Sequence, residues 1–222
     1  MIQILPAILA ETPEQFKQMV EKVSPFASVL HLDTSDGVFT DTRFIGPDVL
    51  ASSPANIEWS VHLMVQNPEN IILSWLDLPN VKRIIFHIET TDPALVHKDG
   101  VNKTQEIIDT IHNAGREVGI ALNPETETEK IESFLDKVDL VQFMSVHPGQ
   151  YGAEFLPDVL NKVSDFHIKH PNVKIAIDGG VNPERIPAMQ KAGVSIFISG
   201  GYIMNSDNPE KSIAELKNAG LS

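Results

Sequence analysis

Short apolar runs alternate with longer amphipathic stretches along the whole chain. The runs are Ile2–Pro6, Val29–Asp33, Ile57–Met64, Val81–His87, Glu117–Leu122, Leu140–Ser145, Val173–Asp178 and Val194–Ser199. Their Val and Ile content suits strands buried on both faces. Helix starts fall between most of them. Thr12-Pro13-Glu14-Gln15 supplies an N-cap Thr, Pro at the first helical position and Gln two places on. Asn-Pro-Glu recurs at Asn67, Asn123, Asn182 and Asn208, each time placed to open a helix. Gly115 and Gly193 stand where helices should stop. After the second run, Gly46-Pro47-Asp48-Val49-Leu50 begins only a short helix.

Eight strand-helix units of about 28 residues each predict a closed parallel (β/α)8 barrel. The competing open sheet would carry a glycine-rich turn after its first strand. That turn reads Pro6-Ala7-Ile8-Leu9-Ala10. No linker or low-complexity segment divides the chain, so one domain over residues 1–222 is expected.

Composition narrows the partners. With 17 Lys plus Arg against 30 Asp plus Glu, the net charge is −13. No broad positive field exists for nucleic acid or anionic lipid. An anionic small molecule is still admissible if local groups hold it. No window reaches the apolar length of a membrane span. Acidic residues follow the apolar start from Glu11, a poor match to a signal peptide. A cytoplasmic location is the default expectation. The absence of Cys removes disulfides, thiolate metal sites and a Cys nucleophile.

The chemistry gathers at strand ends, where barrels of this type place their sites. His31 and Asp33 lie two apart and share a side. They are either a pair of metal ligands or a helix-facing His with a capping Asp. His62 ends the third run at equivalent depth, as ligand or as core residue. Asp178 follows a buried run, where a carboxylate is costly unless paired or metal-bound. It reads as a ligand or as the first residue of an Asp-Gly turn. Gly179-Gly180 and Gly200-Gly201 follow the last two strands, and Gly149-Gln150-Tyr151-Gly152 follows the sixth. Such loops can present backbone N–H groups to a phosphate. His87 and Glu89 also share a side, with a bracing role behind a ligand as the alternative to lining the mouth. His97, His112, His167 and His170 are expected to be solvated.

In order along the chain, these segments resemble the ribulose-phosphate 3-epimerase family. Pro6-Ala7-Ile8-Leu9 resembles P-S-I-L, and His31-Leu32-Asp33-Thr34-Ser35-Asp36-Gly37 resembles H-x-D-x-M-D-G. Val61-His62-Leu63-Met64 matches V-H-L-M, Met144-Ser145-Val146-His147-Pro148-Gly149 resembles M-S-V-N-P-G, and Asp178-Gly179-Gly180-Val181 matches D-G-G-V. The resemblance implies a ribulose-phosphate-binding TIM barrel that interconverts D-ribulose 5-phosphate and D-xylulose 5-phosphate. It implies one divalent metal on His31, Asp33, His62 and Asp178, with Asp33 and Asp178 as the acid/base pair. A mixed N/O set suits Zn, Mn, Fe or Co. Met64 and Met144 would shield the intermediate, and the glycine loops would take the phosphate.

Departures concern the substrate shell. Ala7 replaces a Ser, Ser35 a Met, Gln150-Tyr151 a Phe-Gly pair, and Gly201 a Ser. A ketohexose 6-phosphate such as D-allulose 6-phosphate is therefore the alternative substrate, and a non-catalytic phosphosugar-binding barrel the alternative role. A lyase of the orotidine-decarboxylase type would need a Lys that Asp33-Thr34-Ser35-Asp36 lacks. Apolar helix faces on a small barrel suggest a homo-oligomer.

Overall fold

A computed structural model describes residues 2–52, 54, 56–91, 102–149 and 152–221. Its strands are β1 (Gln3–Leu9), β2 (Val29–Ser35), β3 (Glu58–Met64), β4 (Val81–His87), β5 (Glu117–Leu122), β6 (Leu140–Met144), β7 (Ile175–Asp178) and β8 (Ile196–Ser199). They close into one parallel barrel in sequence order, with β8 hydrogen-bonded to β1. The helices are α1 (Pro13–Val23), α2 (Pro47–Leu50), α3 (Ile72–Leu76), α4 (Lys103–Asn113), α5 (Val159–Lys169), α6 (Ile186–Lys191), α7 (Gly201–Met204) and α8 (Pro209–Ala219).

Alternation along the strands sorts the core into two parts. Outward residues such as Leu30, Trp59, Val61, Phe86, Phe143 and Ile177 meet the helices. Inward residues Leu5, Ala7, Ile85, Ala121, Leu140, Ala176, Ile196 and Ile198 fill the barrel. Both faces of each strand are thus withdrawn from water, which explains the near-continuous apolar runs. Burying a large apolar side chain contributes about 1.5–3 kcal/mol, and Trp59 and Trp75 are both fully buried.

N-caps form at Thr12, Asn182 and Asn208, whereas Asn67 opens only a 3₁₀ turn and makes no side-chain cap. Thr12 accepts from the N–H of Gln15, and Asn208 from that of Lys211. Three further expectations are corrected. The first strand continues past Pro6 to Leu9, because Ala7–Leu9 pair with His31–Asp33. Asn123-Pro124-Glu125 opens no α-helix: it forms a turn, and the connection to β6 is a 3₁₀ segment over Thr128–Lys137. His167 is half-buried, with Nδ1 withdrawn from water. It packs under the tight turn at Gly193, where an added Cβ would lie 2.3 Å from its ring. His112 pairs with Asp139 and His170 with Glu132 near the surface, while His97 lies outside the described residues. Among the described residues no helix is long and apolar enough to cross a membrane.

Candidate active site

Strand register assembles the site. Asp33 on β2 lies opposite His62 on β3, while His31 lies opposite Ala7 on β1. Asp178 ends β7 opposite Met144 on β6. One donor atom from each of His31, Asp33, His62 and Asp178 lies within 4.8 Å of all the others. The four residues that sequence spacing singles out therefore meet at the C-terminal mouth of the barrel.

Their contacts are incomplete for so buried a cluster. His62 Nδ1 lies 2.9 Å from Asp33 Oδ1 and 3.6 Å from Asp178 Oδ2. His31 Nε2 stands 3.5 Å from Asp33 Oδ1 and 3.9 Å from Asp178 Oδ2, too far for a sound hydrogen bond. Both ring nitrogens of His31 are buried with no hydrogen-bond partner. An orphaned imidazole between two carboxylates costs about 1–3 kcal/mol for each unsatisfied group. A divalent cation would satisfy it, and this N₂O₂ donor set fits one.

The chain's own charges and burial separate the two carboxyls. Burial alone would raise Asp33, but the close approach of His31, then the hydrogen bond and charge of His62, hold it well below the usual range. Burial and the adjacent Asp33 charge push Asp178 well above that range. Burial also lowers His31 and His87.

Behind His62 runs a second layer of contacts. His62 Nε2 lies 2.9 Å from His87 Nε2, and His87 Nδ1 lies 3.0 Å from Glu89 Oε2. The other oxygen of Glu89 accepts from the N–H of Asn123 and the hydroxyl of Thr126. Burial works against this carboxylate, but its His87 hydrogen bond and these donors bring it down to about 2. Phe39 packs on the His87 ring at 4.5 Å. His87 and Glu89 thus brace His62 and do not line the mouth.

These shifts set a pH dependence for chelator-treated protein. His31 and His87 fall below their ordinary 6.5, so the unfolded chain binds more protons as the medium acidifies. Their contribution is present above pH 6.5 and is lost as pH falls through their folded values. Glu89 adds a second loss between 4.5 and about 2. Asp178, being raised, works in the opposite sense and favours the fold at low pH. The thermal midpoint should fall as pH drops from about 8 to about 5. A midpoint that rises over that range would show that Asp178 outweighs both histidines.

The glycine loops and the two carboxylates of the cluster share one cavity of about 560 Å³. Gly149, Gly152, Gly179, Gly180, Gly200 and Gly201 line it together with Asp33, Asp178, Met64 and Met144. Gln150 and Tyr151 lie outside the described residues. Gly179 has φ +110°, and a Cβ there would meet Val146 at 2.6 Å. Ser35, for its part, turns its hydroxyl to Thr40 and to the N–H of Gly37. Thr40 in turn packs against Gly149, which fastens the loop after β2 to the loop after β6.

Sequence reasoning missed three polar residues here. Gln142 sends its amide toward Asp178 Oδ2 at 3.4 Å from inside the barrel. A polar residue in the run Leu140–Met144, two before Met144, was the available signal. Ser145 donates within reach of the carbonyls of Asp178 and Gly179, pinning the end of β7. Arg185 lines the cavity, which no local motif signals.

The molecule is therefore a (β/α)8 barrel with a cation-competent His/Asp cluster at its C-terminal mouth. Residues 3–204 match the ribulose-phosphate 3 epimerase family, and the chain belongs to that family. Ribulose-phosphate 3-epimerase of Schizosaccharomyces pombe is 31% identical over 98% of this chain and 93% of its own length. The enzyme of that name from Helicobacter pylori strain 26695 is 32% identical over 98% and 97%. Among solved structures, 3-hexulose-6-phosphate synthase from Salmonella typhimurium superposes with a TM-score of 0.69 at 12% identity, covering 99% of both chains. KGPDC from Streptococcus mutans also gives 0.69 at 12% identity, over 100% of this chain and 98% of its own. At such identities these structures support the fold alone.

Proposed function

We propose that the protein is a metal-dependent epimerase that interconverts D-ribulose 5-phosphate and D-xylulose 5-phosphate at C3. The observation that carries the reading is the convergence of His31, Asp33, His62 and Asp178 around a buried, unpartnered imidazole. Family membership supports the substrate class.

His31, Asp33, His62 and Asp178 would hold one Zn, Mn, Fe or Co ion. When bound, such an ion supplies Lewis acidity toward the oxygens that gain charge as the C3 proton leaves. The chain's own residues do the rest. Asp33 and Asp178 come from strands three places apart around the barrel, so they can approach C3 from different sides. One carboxylate removes the C3 proton and the other returns a proton to the opposite face of the enediolate. Met64 and Met144 present thioethers beside the carboxyls and keep water from the carbanionic carbon. Backbone of the loops at Gly149–Gly152, Gly179-Gly180 and Gly200-Gly201 receives the phosphate, with Gln150 and Tyr151 in the same loop.

The outer contacts fix the tautomer of His62. With Nδ1 given to a bound cation, Nε2–H would donate to His87 Nε2, and His87 Nδ1–H to Glu89. Glu89→Gln should weaken metal affinity by about 10–100-fold in chelator competition. Unchanged affinity with a lowered thermal midpoint would leave Glu89 a purely structural role.

A ketohexose 6-phosphate is the second reading. Ala7 and Gly201 are small lining residues where the family pattern has Ser, which leaves room for a longer sugar. Assaying both ketose phosphates side by side separates the two. A higher kcat/KM for D-ribulose 5-phosphate is expected. A higher value for the hexulose phosphate would reverse the assignment, and no epimer from either would overturn it.

A further inference from the structure

The net charge of −13 opposes an anionic substrate, so the charges lining the cavity decide how the anion is held. Among the described lining residues Asp33, Glu154 and Asp178 are acidic and Arg185 is the one cation. Arg185 sits after β7, in the turn that opens α6, on the glycine-loop side of the cavity.

Its guanidinium is held in place by neutral groups. Nη1 donates to the carbonyl of Gly180 at 2.7 Å. The guanidinium carbon lies over the Phe155 ring, 4.4 Å from its centre, a cation–π contact. Gly180 makes this arrangement possible. It has φ +60°, and a Cβ there would come within 2.9 Å of Arg185 Nη1 and 2.8 Å of Phe155. Among the described residues no carboxylate lies within ion-pair distance of Arg185. In a chain with 30 acidic residues, a half-buried arginine fixed by a carbonyl and a ring has its charge reserved. A guanidinium has five N–H donors, and a single one is committed to Gly180.

We propose that Arg185 is the cation that binds the phosphate group of the sugar phosphate, beside the glycine-loop amides, and so selects phosphorylated ketoses over neutral ones. This rests on the reading of the cavity as a ketose-phosphate site. The free edge of the guanidinium offers the paired donors that match two phosphate oxygens. Gly201 in place of the family's Ser removes a hydroxyl from the same cavity, and Arg185 supplies a stronger donor there.

Inorganic phosphate titrated into the metal-loaded protein by calorimetry tests the assignment without requiring turnover. Arg185→Gln should weaken phosphate binding by about tenfold to a hundredfold. Arg185→Lys, which keeps the charge and loses the fork, should fall between Gln and wild type. In the wild-type protein, phosphate should slow phenylglyoxal modification of Arg185, read by peptide mass spectrometry against Arg43, Arg83 and Arg116. That footprint decides the matter if the Gln variant does not fold. Phosphate affinity in Arg185→Gln within twofold of wild type, or modification of Arg185 that phosphate does not slow, would overturn the assignment. Solvent exchange at C3, measured in parallel on wild type, keeps the two claims apart. Phosphate binding through Arg185 without exchange sinks the epimerase reading alone. Exchange with an indifferent Arg185 sinks this inference alone.

Discussion

Asp178→Asn is expected to cut epimerisation by about 10²–10⁴-fold, the range lost with a general acid or base. Asn nearly preserves the shape of Asp but cannot carry the proton to or from C3. It also withdraws a charge from the cluster, where Asp178 Oδ2 lies 3.6 Å from His62 Nδ1 and 3.9 Å from His31 Nε2. The glycine loops are untouched, so inorganic phosphate should still bind. That combination separates an epimerase from a barrel that merely binds phosphosugars, for which the substitution would leave ligand binding as the whole activity, unaltered. Stability should move the other way. Burial and the Asp33 charge already push Asp178 far above the ordinary carboxylate range, so its ionised form is a burden on the metal-free fold. The thermal midpoint of the chelated variant should equal or exceed that of chelated wild type. A lowered midpoint together with lost phosphate binding would mean that the variant is simply misfolded.

Metal removal is the second large effect. The orphaned ring of His31 and the two neighbouring carboxyls form a donor set that fits a cation. A ligand present at about a thousand times its Kd stabilises the folded state by about 4 kcal/mol. For a chain of this length that corresponds to about 8–16 °C in thermal midpoint. Chelation should lower the midpoint by that order and abolish turnover. Re-addition of Zn, Mn, Fe or Co should restore both, and the ion that restores most is the working metal. His31→Ala should lose the metal-dependent part of the midpoint. A midpoint and turnover indifferent to chelation would remove the metal from the mechanism.

Much of the barrel is legible in the sequence because its strands are buried on both faces. Val81–His87 and Glu117–Leu122 read as strands with the bounds observed. The site is legible through period two: His31 and Asp33 share a side, and the register then brings His62 and Asp178 to them. The segment Thr128–Lys137 shows what periodicity leaves out. Its amphipathic spacing suits a helix, yet apolar spacing does not distinguish 3₁₀ from α hydrogen bonding. His167 and Arg185 show a different limit. Each takes its role from a residue far away or across a turn, Gly193 for the first and Phe155 for the second. Neither partner is announced by local pattern. Ser35 lies between these cases. Its place in the family motif is plain, but only the fold shows the hydroxyl turned to Thr40, away from the work of shielding an intermediate.

The central claim concerns one C–H bond. The metal-loaded protein incubated with D-ribulose 5-phosphate in D₂O should wash deuterium into C3 of both epimers, read by loss of the C3 proton signal in NMR. A C3 position that keeps its proton while phosphate still binds would contradict the two-carboxylate epimerase.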